Sequence, residues 1–91
     1  MNKGELVDQI AEKAGVSKKQ ADAALTAMLE SIVEAVSHGD KVTLVGFGSF
    51  EPRHRQERQG RNPQTGKELT IPATTIPAFS AGKAFKQRVA A

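Results

Sequence analysis

From Arg53 to Lys67 the chain carries no apolar side chain except Pro63. A stretch of this kind cannot be buried, because charged groups taken out of water without partners cost far more than they return. It must project from whatever body the remaining residues build. Arg53, Arg55, Arg58 and Arg61 lie in it, with Glu57 the only acid among them. Gly60, Asn62, Pro63 and Gly66 supply the turn chemistry of one tip. On the return, Leu69, Ile71 and Ala73 alternate with Glu68, Thr70 and Pro72, the period of two of an extended strand. The alternation slips at Thr74 and Thr75, where Ile76 and Ala78 take over, and this predicts a bulge or bend there. A basic two-stranded ribbon suits the minor groove of DNA, whose negative potential attracts arginine.

The rest of the chain reads as the body. Asn2 caps a first helix, with Glu5 at the third helical position reaching back in capping-box fashion. Leu6, Val7, Ile10, Ala11 and Ala14 mark one face, and Gly15 ends the helix. Ser17 and Gln20 form a second capping box. The helix that follows carries Ala21, Ala24, Leu25, Met28, Leu29, Ile32, Val33 and Val36, and Gly39 closes it. That stripe is broad enough to serve both the first helix and a second subunit. Val42 to Val45 reads as a strand, Gly46-Phe47-Gly48 as a turn, and Ser49-Phe50-Glu51 as the start of the next strand. Pro52 marks the point where that strand leaves the sheet, since it cannot donate to a central ladder. Ile76-Pro77-Ala78-Phe79 re-enters the body, and Ser80 caps a last short helix through Val89, with Phe85 facing the core.

Charge and composition narrow the function. The net charge is +3, but residues 1–40 carry −3 and residues 41–91 carry +6, so one half is built to approach a polyanion. There is no cysteine, which removes disulfides, thiolate metal sites and cysteine nucleophiles. His38 and His54 have no evident partners for a metal. No run approaches the roughly 20 apolar residues of a membrane span, and the N-terminus is charged and amphipathic; a soluble, intracellular protein is expected. Of 35 apolar residues 13 are alanine. A chain so short with so few large apolar groups normally needs a disulfide, a metal or a partner chain. An obligate homodimer is the reading that remains.

Three other functions fit less well. An enzyme lacks support: the carboxylates are scattered over helix faces, no nucleophile has a base, and no glycine-rich loop fits a phosphate. A helix-turn-helix repressor needs Arg, Asn or Gln on its second helix to read base edges. Beyond Gln20 that helix offers mainly Ala, Thr, Ser and acids. The third alternative is a purely structural dimer whose arms bind proteins, and gel shifts with random-sequence DNA at varied salt separate these outcomes. Lys3 at the start of the first helix, and Lys83 and Lys86 early in the last, are candidate phosphate contacts, since helix N-termini add oriented amides; solvated surface lysines are the alternative.

These residues resemble the HU and integration host factor family of nucleoid-associated DNA-bending proteins, and its HU branch most. The resemblance covers essentially the whole chain. It rests on Met1-Asn2-Lys3 with Leu6, on Val45 to Phe50, on Gly60-Arg61-Asn62-Pro63-Gln64-Thr65-Gly66-Lys67, and on Pro77-Ala78-Phe79 with Gly82-Lys83. Ser80 departs from the pattern, standing where many relatives carry Arg or Lys, which implies one fewer phosphate contact from the body.

The resemblance implies an α+β fold: an intertwined homodimer with an α-helical body, a small antiparallel sheet and two long β-ribbon arms. Residues 1–91 would form one DNA-binding domain. Residues 1–40 would be the helical dimerisation region, 41–52 and 76–79 the sheet, 53–75 the arm and 80–91 the C-terminal helix. Leu29, Ile32, Val36, Leu44, Phe47, Phe50 and Phe79 would lie in the shared interface. Arg53, Arg55, Arg58, Arg61, Asn62, Pro63, Lys67, Ile71, Lys3, Lys83 and Lys86 would contact double-stranded DNA. Pro63 would intercalate between base steps; HU and integration host factor are themselves the proteins for which that kink is described, so it comes with the family. No cofactor, metal, membrane or small-molecule substrate is implied, and a cytoplasmic, nucleoid-associated location is.

Strand and groove dimensions favour bending independently of the family. Two paired strands lie about 4.8 Å apart before side chains are counted, whereas the B-form minor groove is about 6 Å wide. The ribbon enters only if the groove widens and the duplex bends away.

Overall fold

Helix α1 (Lys3–Ala14) starts at Asn2, whose backbone is extended (φ −108°) and whose Oδ1 accepts the Glu5 N–H at 2.9 Å. That bond satisfies one of the amides the first turn leaves free. In this computed structural model, which describes residues 1–91, the Asn2 half of the expected capping box is present. Gly15 takes the left-handed conformation (φ 69°) and the Val16 N–H reaches back to the Ala11 carbonyl at 3.1 Å, closing the helix. Ser17 and Gln20 cap each other reciprocally, both bonds at 3.1 Å, and open α2 (Lys18–Ser37). Gly39 (φ 90°) and the Asp40 N–H on the Ala35 carbonyl (2.9 Å) end α2 where the sequence placed its end.

The chain divides into two compact units, Met1–Glu34 and Ala35–Ala91. In the first, Val7, Ala11, Ala21 and Leu25 are buried and Ile10 packs against them. No large side chain is fully buried, and Met28 (44 % exposed), Leu29 (45 %) and Val33 (65 %) stand open on α2. The stripe therefore splits: its first half meets α1, while in its second half Met28, Leu29 and Val33 stay exposed and Ile32 and Val36 are half-buried. Lys18 pairs with Asp8 at 3.3 Å, and Lys3 Nζ donates to Thr26 Oγ1 at 2.9 Å beside Asp22. These exposed links add little stability.

In the second unit, β1 (Val42–Leu44), β2 (Gly48–Arg55) and β5 (Thr74–Ala81) form an antiparallel sheet in the order β1-β2-β5, while β3 (Arg58–Arg61) and β4 (Glu68–Ile71) form a separate two-stranded sheet. Helix α3 is Lys83–Ala90. Val45 belongs to the turn rather than to β1, and the Phe47 N–H bonds to the Leu44 carbonyl at 2.9 Å.

Four rings converge beside this turn. Phe47 lies 5.5 Å from Phe79 and 5.2 Å from Phe85, and Phe50 lies 4.8 Å from Phe79, centroid to centroid. The Gly82 N–H donates to the Phe47 carbonyl at 2.7 Å, fastening the start of α3 to the turn. Gly48 makes the approach possible: a Cβ there would lie 2.5 Å from the Ser80 carbonyl oxygen and 2.6 Å from the Phe79 ring. Gly48→Ala is expected to destabilise the fold by roughly 1–3 kcal/mol through overpacking, read as a lower melting temperature. Gly46→Ala, where no atom lies within 4 Å but φ is 83°, probes backbone strain alone.

Three local expectations are corrected. Pro52 does not take its strand out of the sheet: β2 stays paired with β5 as far as Arg55, with Pro52 opposite Pro77. Beyond Phe50 no third strand flanks β2, since Val42 is the last residue of β1 to pair. Where β2 and β5 form only a two-stranded ribbon, a proline whose nitrogen faces outward takes no bond from the ladder. Ser80 does not cap α3: it is a β5 residue paired with Ser49, and the N-cap is Gly82, with no side-chain bond. The irregularity near Thr74 comes earlier, at Pro72 and Ala73, opposite Gln56 and Glu57. It is no bulge. From Arg55↔Thr74 to Arg58↔Ile71 both strands advance by the same number of residues, so register is kept and the ribbon is interrupted symmetrically.

Candidate nucleic-acid interface

Residues facing each other across an antiparallel pair share one face of the ribbon, and successive residues alternate. Register therefore sorts the arm. On β2–β5, Arg53 opposite Ile76 and Arg55 opposite Thr74 share a face, and His54 opposite Thr75 takes the other. On β3–β4, Arg58 opposite Ile71 shares a face with Gly60 opposite Leu69, while Gln59 with Thr70 and Arg61 with Glu68 occupy the reverse. Gln59 Nε2 donates to Thr70 Oγ1 at 3.4 Å, and Ile71 lies over Gly60, with Cδ1 3.4 Å from where a Cβ would stand.

At the symmetric break the two sheets frame a hollow of about 460 Å³, lined by Arg55, Gln56, Arg58, Ile71, Pro72, Thr74 and Ile76. Arg55 and Arg58 are three apart and would point oppositely along an unbroken strand. The break brings both to one surface, beside Ile71 and Ile76. The site thus gathers two arginines and two isoleucines, a combination that suits a phosphate-edged groove. Arg61 stands on the reverse of the outer hairpin from Arg58.

Arg53 differs from the other arm arginines. Its Nη2 lies 3.3 Å from Glu51 Oε1, and the same carboxylate accepts the Ser80 hydroxyl at 3.5 Å. The sequence reading missed this pair, although Glu51 and Arg53, two apart on one strand, share a face. At the tip, Pro63 and Lys67 are exposed and Asn62 is half-buried. The Asn62 N–H donates to the Lys67 carbonyl at 2.8 Å, closing the hairpin.

The remaining candidates are distributed over the chain. Lys83 is the first residue of α3 and Lys86 lies one turn along, its N–H bonded to the Gly82 carbonyl at 3.0 Å. Lys3 lies in the other unit and is engaged by Thr26 and Asp22. Of the expected interface residues, Leu29, Phe47 (44 %) and Phe79 (42 %) are exposed, while Ile32, Val36, Leu44 and Phe50 are half-buried. No three His, Asp or Glu side chains come together as metal ligands, and no helix is long and apolar enough to cross a membrane.

The family described as bacterial DNA-binding protein matches residues 1–90. The chain is 71 % identical over 90 residues to DNA-binding protein HU of Nostoc sp. strain PCC 7120, covering 99 % of this chain and 96 % of the relative. It is 56 % identical over 89 residues to the protein of that name from Geobacillus stearothermophilus, covering 98 % and 99 % of the two chains. Among solved structures it is similar to a chain of the Anabaena HU–DNA cocrystal structure, with a TM-score of 0.93 and 71 % identity over 99 % of this chain and 98 % of that one. HU from Thermotoga maritima gives a TM-score of 0.69 at 39 % identity, with 98 % of each chain covered.

Proposed function

The chain belongs to the bacterial DNA-binding protein family, the family of the HU proteins, and from that premise we propose that it is a histone-like architectural protein of double-stranded DNA. Two copies intertwine through their helical bodies and hold the duplex between two ribbon arms. They bind through the minor groove with little regard for sequence, and bend and wrap the duplex, compacting nucleoid DNA. The role is architectural rather than catalytic, in the cytoplasm where the nucleoid lies. The 91 residues act as one DNA-binding domain.

The observation that carries the reading is the hollow at the arm's break, where Arg55 and Arg58 flank Ile71 and Ile76 on an otherwise exposed ribbon. Charge set around apolar side chains matches a groove with phosphate walls and a less polar floor. Arg61 adds a contact from the other face, Lys67 extends the basic edge towards the tip, and Pro63 is the wedge. Lys3 on one unit, and Lys83 and Lys86 on the other, are further phosphate contacts, and Arg53 is another once it leaves Glu51. The dimer is supported by the apolar surface a single chain leaves open: Met28, Leu29 and Val33 on α2, with Phe47 and Phe79 in the other unit. Leu29, Ile32, Val36, Leu44, Phe47, Phe50 and Phe79 fill the interface.

Gel shifts on duplexes of unrelated sequence at several salt concentrations test this. Affinity is expected to fall steeply with salt and to differ little between sequences, because guanidinium groups in a degenerate groove read potential rather than base edges. Arg61→Ala is expected to weaken all duplexes alike and to reduce the logarithmic salt slope by about 1. A strong preference for one sequence over another of equal flexibility would reject the reading.

A further inference from the structure

The tip residue Asn62 has most of its hydrogen-bonding capacity committed within the protein. Its N–H donates to the Lys67 carbonyl (2.8 Å), its carbonyl accepts from Gly66 N–H (2.8 Å), and its side-chain Oδ1 accepts from Gln64 N–H (2.9 Å). Only the side-chain amide nitrogen is left to meet anything else. Asn62 is half-buried where Arg61 and every residue from Pro63 to Thr75 are exposed. A side-chain oxygen on the N–H two residues ahead is an Asx turn, and it mimics a backbone turn across the intervening residue. Here the residue enclosed is Pro63.

We propose that Asn62 is a positioning residue, whose Asx turn fixes the direction in which Pro63 leaves the tip so that the wedge meets the duplex already ordered. The proline ring fixes its own φ, but the direction of the ring relative to the ribbon depends on the backbone on either side. The Asn62 Oδ1 bond sets that backbone from one side. Gly66, in the left-handed conformation (φ 69°), and Thr65, whose Oγ1 accepts the Lys67 N–H at 3.3 Å, set it from the other. A loose tip would have to be ordered at the moment of insertion, and that cost would come out of binding. The inference rests on the reading of Pro63 as the wedge and assigns to Asn62 the holding of that wedge in place of a contact with DNA.

The test uses the full-length protein with Asn62→Ala and Asn62→Asp, since aspartate keeps the accepting oxygen and loses the amide donor. Two quantities are read: amide exchange at Gln64 in the free protein, and end-to-end energy transfer of a labelled intact duplex at saturating protein. Asn62→Ala is expected to speed Gln64 exchange by about fivefold, the scale of one neutral hydrogen bond, and to leave the bound duplex less bent. Asn62→Asp is expected to keep Gln64 protected and, at saturation, to bend the duplex as the parent does. Parental bending by Asn62→Ala would overturn the proposal, as would its loss of bending with Gln64 still protected. Loss of bending in Asn62→Asp with Gln64 protected would assign the role to the amide nitrogen instead. A parent protein that binds without bending the duplex would overturn the wedge reading first and this inference with it, a result distinguishable from the others because it needs no variant.

Discussion

Phe47→Ala is expected to lower stability by about 3–5 kcal/mol, the cost of removing a packed phenyl ring, and to shift the protein towards dissociated, unfolded chains. The ring lies between Phe79 and Phe85, and its backbone carbonyl holds the start of α3 through Gly82. Truncation removes two ring contacts and loosens the turn that carries that bond. Yet the same ring is 44 % exposed in the single chain, and in the proposed dimer this remaining surface is what the second copy would cover. Folding and association are then one process, so the parent's melting temperature rises with protein concentration. Scanning calorimetry across a hundredfold concentration range, with sedimentation of both proteins, reads the effect. A melt independent of concentration, together with a monomeric sedimentation profile, would contradict the obligate dimer.

Pro63→Ala is expected to leave the melting temperature nearly unchanged and to reduce bending sharply. Pro63 is exposed at the tip and contributes nothing to the buried cluster of Val7, Ala11, Ala21 and Leu25 or to the four rings. The arm arginines remain, so attraction to the duplex persists. Prying a base step apart needs an apolar group to occupy the opened gap, as HU and integration host factor are themselves described as doing. Alanine is too small to fill it. The affinity loss should be largest on intact duplex and smallest on nicked duplex, where stacking is already interrupted. Equal bending by parent and variant would make Pro63 a turn residue only.

Much of this molecule is legible before its fold is known, and what escapes does so for identifiable reasons. Helix ends are local events: Asn2, Gly15, the Ser17–Gln20 box and Gly39 each act within a few residues, and each is where the sequence puts it. The arm is legible because a run of charge without apolar partners has nowhere to go but outward. Pro52 misleads because the rule against proline in sheets concerns strands flanked on both sides, and β2 has lost β1 by that point. Ser80 misleads because a serine before a helix is a good cap only if the backbone has left the strand, and here pairing with Ser49 holds it. The faces of the arm are the least legible feature. Counting alternation from Arg55 to Arg58 puts them on opposite sides, and only the symmetric break brings them around one hollow. The Glu51–Arg53 pair was open to inference from spacing, but its third member, Ser80, comes from the other strand of the ribbon.

Binding is expected to deform the duplex whatever its sequence, and end-to-end energy transfer on doubly labelled duplexes of unrelated sequence measures this directly. Saturating protein is expected to shorten the end-to-end distance to a similar extent on every sequence, with the change fading as salt releases the arms. A duplex that is bound and keeps its free end-to-end distance, or that shortens for one sequence alone, would contradict the account.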